Sequence, residues 1–378
     1  MNQYIEAIRQ AMILFPIIAV LFTIPYVIHN YHKYGSLLSM RILIVYSFVL
    51  YMICVYCLVI LPLPTGETLQ KLHGHKMQLV PFMFVADIIK ESSVTLSDPK
   101  SYLTLINNPA VLTNLFNIFM TIPFGIYLRY YFRKNAVQTL CFSFLLTLFF
   151  ELTQLSGLYF IYPGSYRLFD VDDLIMNTTG GMAGYLLAGP LMKFLPSREE
   201  IDHMSYVHGQ KISVVRRMLA FLYDIFFAAI FYAIIGVLLY IVGFSSKWVT
   251  FTLTEMLYFM LCPMILKGCT IGHRLTKLRI EPAEGKEKKW YRYLIRYGSL
   301  FLVIHYLPMA CADAVAALSE LTDSPVMVRI VFLGIGFGIF CFFLFFEFIR
   351  MAMKKTLFYE RLSGTVLTST VTKDSHVG

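Results

Sequence analysis

The sequence predicts an all-α fold: a polytopic integral membrane protein with about nine transmembrane helices in two helical modules. Three observations carry that expectation. Of 378 residues, 58% are hydrophobic and 15% charged, with a mean hydropathy of +0.66. A soluble domain carries roughly 25% charged residues. Apolar runs of about 20 residues, the length that crosses a bilayer core, recur at 11–28, 42–61, 112–131, 137–158, 173–194, 218–243, 249–266, 297–316 and 328–349. Finally, basic residues follow every odd-numbered run.

That alternation orients the chain. Lys33 and Arg41 follow the first run, Arg129, Arg133 and Lys134 the third, and Lys193, Arg198, Lys211, Arg216 and Arg217 the fifth. The densest stretch, Lys267 to Arg296, follows the seventh, and Arg350, Lys354, Lys355 and Arg361 follow the ninth. By the positive-inside rule the N-terminus is expected outside and the C-terminus in the cytoplasm. Topology thus accounts for the net charge of +9, and nucleic acid is not an expected partner. The first run lacks a basic leader and a small-residue cleavage site, so an uncleaved helix is expected rather than a signal peptide. Nearly all of the seven cysteines lie in apolar stretches, Cys54-x-x-Cys57 included, where cysteine packs as a small hydrophobe. No disulfide framework is legible.

The expected division is a membrane module over 1–195, a polar linker over 196–211, a second membrane module over 212–368 and a solvated tail over 369–378. Between the second and third spans, "MQLVPFMFVADIIKE" (77–91) is apolar but too short to cross, which suits an interfacial or re-entrant segment. The inner loop "RIEPAEGKEKKWYRY" carries turn chemistry at Pro282 and Gly285.

In the first module three polar stripes fall at helical spacing. Asp170, Asp173, Asn177, Gly181 and Gly184 recur at three and four in the fifth span, while Gly180 and Gly184 form a small-xxx-small pair that admits a close neighbour. Thr147, Glu151 and Gln154 repeat the spacing in the fourth span, and Asn114, Asn117, Thr121 and Gly125 in the third. A carboxylate at membrane depth costs roughly 3 kcal/mol unless it faces protein, water or an ion. An outer polar pocket of Asn114, Asn117, Thr121, Glu151, Gln154, Arg167, Asp170, Asp172, Asp173 and Asn177 is the economical expectation. The competing reading is that Asn and Thr hydrogen-bond between helices, while Asp172 and Asp173 are first-turn acids favoured by the helix dipole.

"LVPF", "TNLFNIFMTIPFG", "ELTQ" and "DVDDLIMNTTGGMAGY" together resemble the VanZ-like family over about 40–195, with Gln78 where that family opens on Asn. The family takes its name from a protein associated with resistance to teicoplanin, a glycopeptide that binds cell-wall precursors. The resemblance implies a bacterial plasma-membrane protein of the envelope without supplying a reaction.

In the second module Arg217 and Asp224 lie seven apart on one helix face, an arrangement that suits either a pair or a proton site. Glu255, Asp313 and Glu347 are further acids in apolar spans and form a candidate ion path. "RRMLAFLYD", "KGCTIGHRLTKLRI" and "LFYERLSGTVL" resemble the RDD family over about 212–368. Arg217 and Asp224 match two of its named charges; Glu360 stands for the usual second aspartate, and His273 where lysine is frequent. That resemblance implies ion movement as one activity.

Three function classes follow. The first is binding of a lipid headgroup, lipid-linked cell-wall precursor or glycopeptide in the outer acidic pocket, with membrane lipids as the general partner and a link to glycopeptide resistance. The second is a secondary transporter for Na⁺, H⁺ or a small solute. The third is a metal-dependent enzyme on lipid phosphates, with Mg²⁺ on Asp170, Asp172, Asp173 and Glu151; "DVDD" lacks the second acidic motif that a diphosphate site needs. No nucleophile–base pair is legible, no cofactor is called for, and the sequence does not speak to oligomeric state.

Overall fold

Each of the nine apolar runs folds as a helix, because a backbone removed from water must satisfy its own N–H and C=O groups. The computed structural model describes residues 2–64, 74, 76–91, 108–244, 246–322 and 326–371. Among them, eight helices are long and apolar enough to cross a membrane, and the chain is a multi-pass membrane protein. The remaining expected span does form a helix, but Asp172, Asp173, Asn177 and four glycines dilute its apolar content.

The chain divides into two compact units, Met1–Ile24 with Ser39–Asp202 and Pro25–Leu38 with His203–Gly378. In the first unit, α1 (Asn2–Tyr34, through Ile24) precedes α2 (Ser39–Ile60) and the short helix α3 (Met83–Glu91). Then come α4 (Pro109–Tyr130), α5 (Ala136–Leu155) and α6 (Val171–Leu191). Their starts are written locally. The Asn108 side chain accepts from the Ala110 and Val111 amides ahead of Pro109, Asn135 and Gln138 form a capping box, and Asp170 accepts from the Asp172 amide. Helix α5 stops three residues earlier than its apolar run suggests, because Gly157 takes a φ of +61° and leads a left-handed turn.

Helices α4 and α6 touch backbone to backbone. A Cβ on Gly125 would overlap the Gly181 carbonyl, one on Gly180 the Ile118 carbonyl, and one on Gly184 the Ile122 carbonyl. A Cβ on Gly181 would overlap the Ser143 side chain of α5. The segment 77–91 docks at the start of α6. Strand β1 (Met77–Gln78) pairs in parallel with β2 (Phe169–Asp170), and Asp172 accepts from the Phe82 and Phe84 amides at 2.5 and 2.9 Å.

The expected linker, 196–211, is mostly helix. Arg198–Gln210 forms α7, whose residues belong to the first unit through Asp202 and to the second from His203. Its start is a capping box: the Ser197 amide donates to Glu200 Oε2 and the Glu200 amide to Ser197 Oγ. Polarity there marks a helix cap, not a break in structure.

The second unit contains α8 (Val214–Ile241), the compound helix α9 (Lys247–Ile265) and the short α10 (Ile271–Leu275). The compound helix α11 begins at Tyr291 and runs through Thr322, followed by α12 (Val326–Ala352) and α13 (Phe358–Ser363). Both compound helices contain a π-helical stretch, Glu255–Leu261 in α9 and Leu302–Tyr306 in α11. This unit also holds two strands that an all-α expectation does not include: β3 (Leu278–Pro282), inside the charged loop, pairs antiparallel with β4 (Thr365–Ser369). Ser369, Thr370 and Val371, expected in the tail, are thereby structured; the rest of the expected tail, 372–378, lies outside the described residues. Tyr258, Phe259, Ile280, Tyr293, Tyr297 and Leu300 form this unit's core.

Replacing Gly184 with valine should drive α6 off α4 and cost about 1–3 kcal/mol of stability, as overpacking does. Gly236→Ala meets only a methyl group at 3.6 Å and should be neutral or stabilising by up to about 1 kcal/mol. Thermal midpoints in detergent compare the two; equal effects would refute the close-approach account.

Candidate functional site

In the first unit a cavity of about 440 Å³ opens where α4, α5 and α6 meet the residues just before α6. Its polar lining is Thr113, Asn117, Glu151, Gln154, Arg167, Asp170, Asp173 and Asn177. Leu58, Leu61, Phe116, Met120 and Leu168 make much of the rest. Glu151 and Asn177 are 2% and 5% exposed, so each must find a partner within the fold or in a ligand.

The lining is tied together by specific bonds. Asn117 Nδ2 donates to Asp173 Oδ1 at 2.6 Å, which joins α4 to α6. The Asp170 amide donates to Glu151 Oε2 at 3.0 Å and fixes the entry of α6 against α5. Gln154 Nε2 donates to the Val59 carbonyl at 2.8 Å. Arg167 donates to the Val59 and Leu61 carbonyls at 2.7 and 2.8 Å. These are orphan carbonyls at the C-terminal end of α2, where a cation is favoured by the helix dipole.

Three expected members lie off the cavity lining. Asn114 turns back to the Ala110 carbonyl of its own helix. Thr121 donates to the Asn177 carbonyl at 2.7 Å, beneath Gly180, and serves as packing between α4 and α6. Asp172, 3% exposed, is occupied by the Phe82 and Phe84 amides. Helical spacing put these residues near the right face but could not say which of them a neighbour would claim. The Mg²⁺ set of Asp170, Asp172, Asp173 and Glu151 is divided by the same bonds, and among the described residues no three His, Cys, Asp or Glu side chains gather to hold a metal.

The second unit does not pair Arg217 with Asp224. Seven residues raise a helix by about 10.5 Å, and each side chain has a nearer partner. Asp224 accepts from Tyr258 Oη, Thr270 Oγ1 and the Gly272 amide at 2.7–2.8 Å. A Cβ on Gly272 would overlap the Ala220 carbonyl, so glycine permits this approach. Arg216, by sequence one of the basic residues that orient the chain, is fully buried and donates to the Thr276, Lys277 and Gly209 carbonyls. Thus α8 holds the short helix α10 at both ends, with an acid at its N-terminus and a cation at its C-terminus.

Arg217 sits 3.3 Å from Glu360, which also pairs with Arg296 at 3.1 Å and accepts from the Leu357 amide. Arg296, which ends the densest basic stretch of the sequence and reads there as a loop charge, is a further buried charge. A cavity of about 60 Å³ lies among Arg217, Asp224, His273, Arg296, Tyr297 and Tyr359. Burial, with Arg296 and Arg217 adding repulsion, pushes the His273 imidazole down to about 3. The expected ion path does not assemble among the described residues. Glu255 accepts from Tyr306 Oη at 2.8 Å, Glu347 accepts from the Phe358 amide, and Asp313 is exposed.

Two outcomes follow. Above pH 6.5 His273 is neutral folded or unfolded; between 6.5 and 3 only the unfolded chain takes the proton, so stability should fall as pH falls through that window. His273→Gln should flatten the thermal midpoint between pH 7 and pH 5. Asp224→Asn turns one acceptor oxygen into a donor facing other donors and should cost about 1–3 kcal/mol. Because Arg217 shares no partner with Asp224, adding Arg217→Ala should be additive within about 0.5 kcal/mol; a large coupling energy in that double-mutant cycle would restore the pair.

Two family models match the chain: VanZ/LLP1 over residues 48–193 and the RDD family over 212–358. No curated protein and no solved structure matches it. The four polar motifs around the larger cavity fall in or beside the first match, and Arg217, Asp224, His273 and Arg296 in the second. The chain is a multi-pass membrane protein that joins a VanZ-like domain to an RDD-family domain.

Proposed function

We propose that the VanZ-like domain binds the polar group of an envelope molecule, either a lipid headgroup, a lipid-linked cell-wall precursor or a glycopeptide, in the acid-lined cavity. One observation carries this reading: polar side chains from α4, α5, α6 and the segment before α6 line a single space of about 440 Å³, within the range of small-molecule sites. In the topology expected from the basic loops the cavity opens to the outer face of the bacterial plasma membrane, where such molecules are met, and the RDD domain follows toward a cytoplasmic C-terminus.

Asp173→Asn and Glu151→Gln remove charge with little change of volume. Both variants should accumulate in the membrane and lose the glycopeptide-resistance phenotype (teicoplanin susceptibility is the readout), and the double variant should be little worse than either single one, as for residues acting as a unit. Full resistance in both variants would sink the proposal. Orientation has its own test in a cysteine-free background. Pro163→Cys should react with an impermeant thiol reagent in intact cells, and Lys288→Cys only after permeabilisation; the reverse pattern would place the cavity on the cytoplasmic side.

A further inference from the structure

The hydrogen-bond inventory of the acid-lined cavity is lopsided. Its donors are partly spent on protein: Asn117 Nδ2 gives an N–H to Asp173, Gln154 Nε2 one to Val59, and two guanidinium nitrogens of Arg167 reach Val59 and Leu61. Its carboxylates are less used. Glu151 uses only Oε2 and Asp173 only Oδ1 among the described residues. Asn177 Oδ1 is buried without a partner among the described residues. A buried acceptor left unpaired costs about 1–3 kcal/mol; Asn177 Oδ1 is such an atom, and Glu151 and Asp173 each bring a second carboxylate oxygen to the same lining.

Charge points the same way. Three carboxylates, from Glu151, Asp170 and Asp173, face the space with one guanidinium, and Arg167 is already directed at the end of α2. A divalent metal is not the fit, since no metal-holding trio forms among the described residues. An ammonium fits better: it is compact, positively charged, and carries three N–H donors and no acceptor. Glu151 Oε1, Asp173 Oδ2 and Asn177 Oδ1 match those donors in number. The volume is far larger than an ammonium, and Leu58, Phe116, Met120 and Leu168 give the remainder an apolar wall.

We infer that the cavity selects a primary ammonium group carried on a larger, partly apolar molecule. This narrows the binding reading above and rests on it. A quaternary ammonium carries the same charge but no N–H, so it leaves all three acceptors unpaired and should bind far more weakly. The ammonium can come from a lipid headgroup or from a soluble amine, and the chemistry at the cavity is the same.

The test uses the full-length protein in nanodiscs of phosphatidylglycerol, which carries no amine, at constant pH and ionic strength. Phosphatidylethanolamine and phosphatidylcholine are introduced in separate discs, and ethanolamine and choline are titrated as soluble probes; thermal midpoint and calorimetric affinity are read. The expected result is at least a tenfold preference for ethanolamine over choline in one of the two forms, and the form that shows it identifies the source. Asp173→Asn and Asn177→Leu should each reduce the ethanolamine response at least tenfold. Asn177→Asp, which keeps the acceptor, should retain it and guards against a folding defect in the leucine variant. Equal responses to ethanolamine and choline, or none to ethanolamine in either form, overturn the ammonium assignment. If Asp173→Asn and Glu151→Gln still abolish resistance in that case, the binding reading stands and only its ligand class is wrong; if they do not, both fall.

Discussion

Backbone contact between α4 and α6 is the constraint on which the VanZ-like domain depends. Gly125, Gly180 and Gly184 each occupy a place where a Cβ would overlap a carbonyl of the facing helix. Without side chains between them the two helices come close enough for Thr121 to reach the Asn177 carbonyl and Asn117 to reach Asp173. Small-residue contacts are how helices associate where lipid offers no hydrophobic drive. The same contact forms one wall of the cavity, so the packing that stabilises the bundle also positions the polar stripe.

The acidic run before α6 divides its labour among neighbouring residues. Asp170 caps the helix, Asp172 holds the 77–91 segment through two backbone amides, and Asp173 faces the cavity. Gln78 lies 3.5 Å from Asp170, so the docked segment and the cavity mouth share one set of bonds. Three carboxylates so close in sequence repel, and each is tolerated because a different donor set meets it.

In the RDD domain the named charges serve geometry first. Asp224 and Arg216 grip α10 at its two ends, and Glu360 collects Arg217, Arg296 and the start of α13. A buried charge with all its lone pairs or N–H groups engaged is a fixed structural element, and Asp224 with three donors is of that kind. Among the described residues, unspent polar capacity of this domain lies elsewhere: Glu255 Oε1 is buried without a partner at the start of a π-helical stretch, and Arg296 Nε is likewise unpaired.

Sequence by itself determined the helices, since apolar length and capping residues such as Asn108, Asn135 and Ser213 are local properties. It also determined which helices carry polar stripes, because helical spacing puts Asn117, Glu151 and Asp173 each on a defined face. Partner choice was a tertiary decision. Asn114 and Thr121 have the spacing of site residues yet bond within the fold, while Arg216 and Arg296 read as loop charges yet are buried. Arg217 and Asp224 share a face but part company, because two helical turns separate them and nearer partners arrive from α9, α10 and α13. Periodicity fixes the direction in which a side chain leaves its helix; only the packed neighbours fix what it meets there.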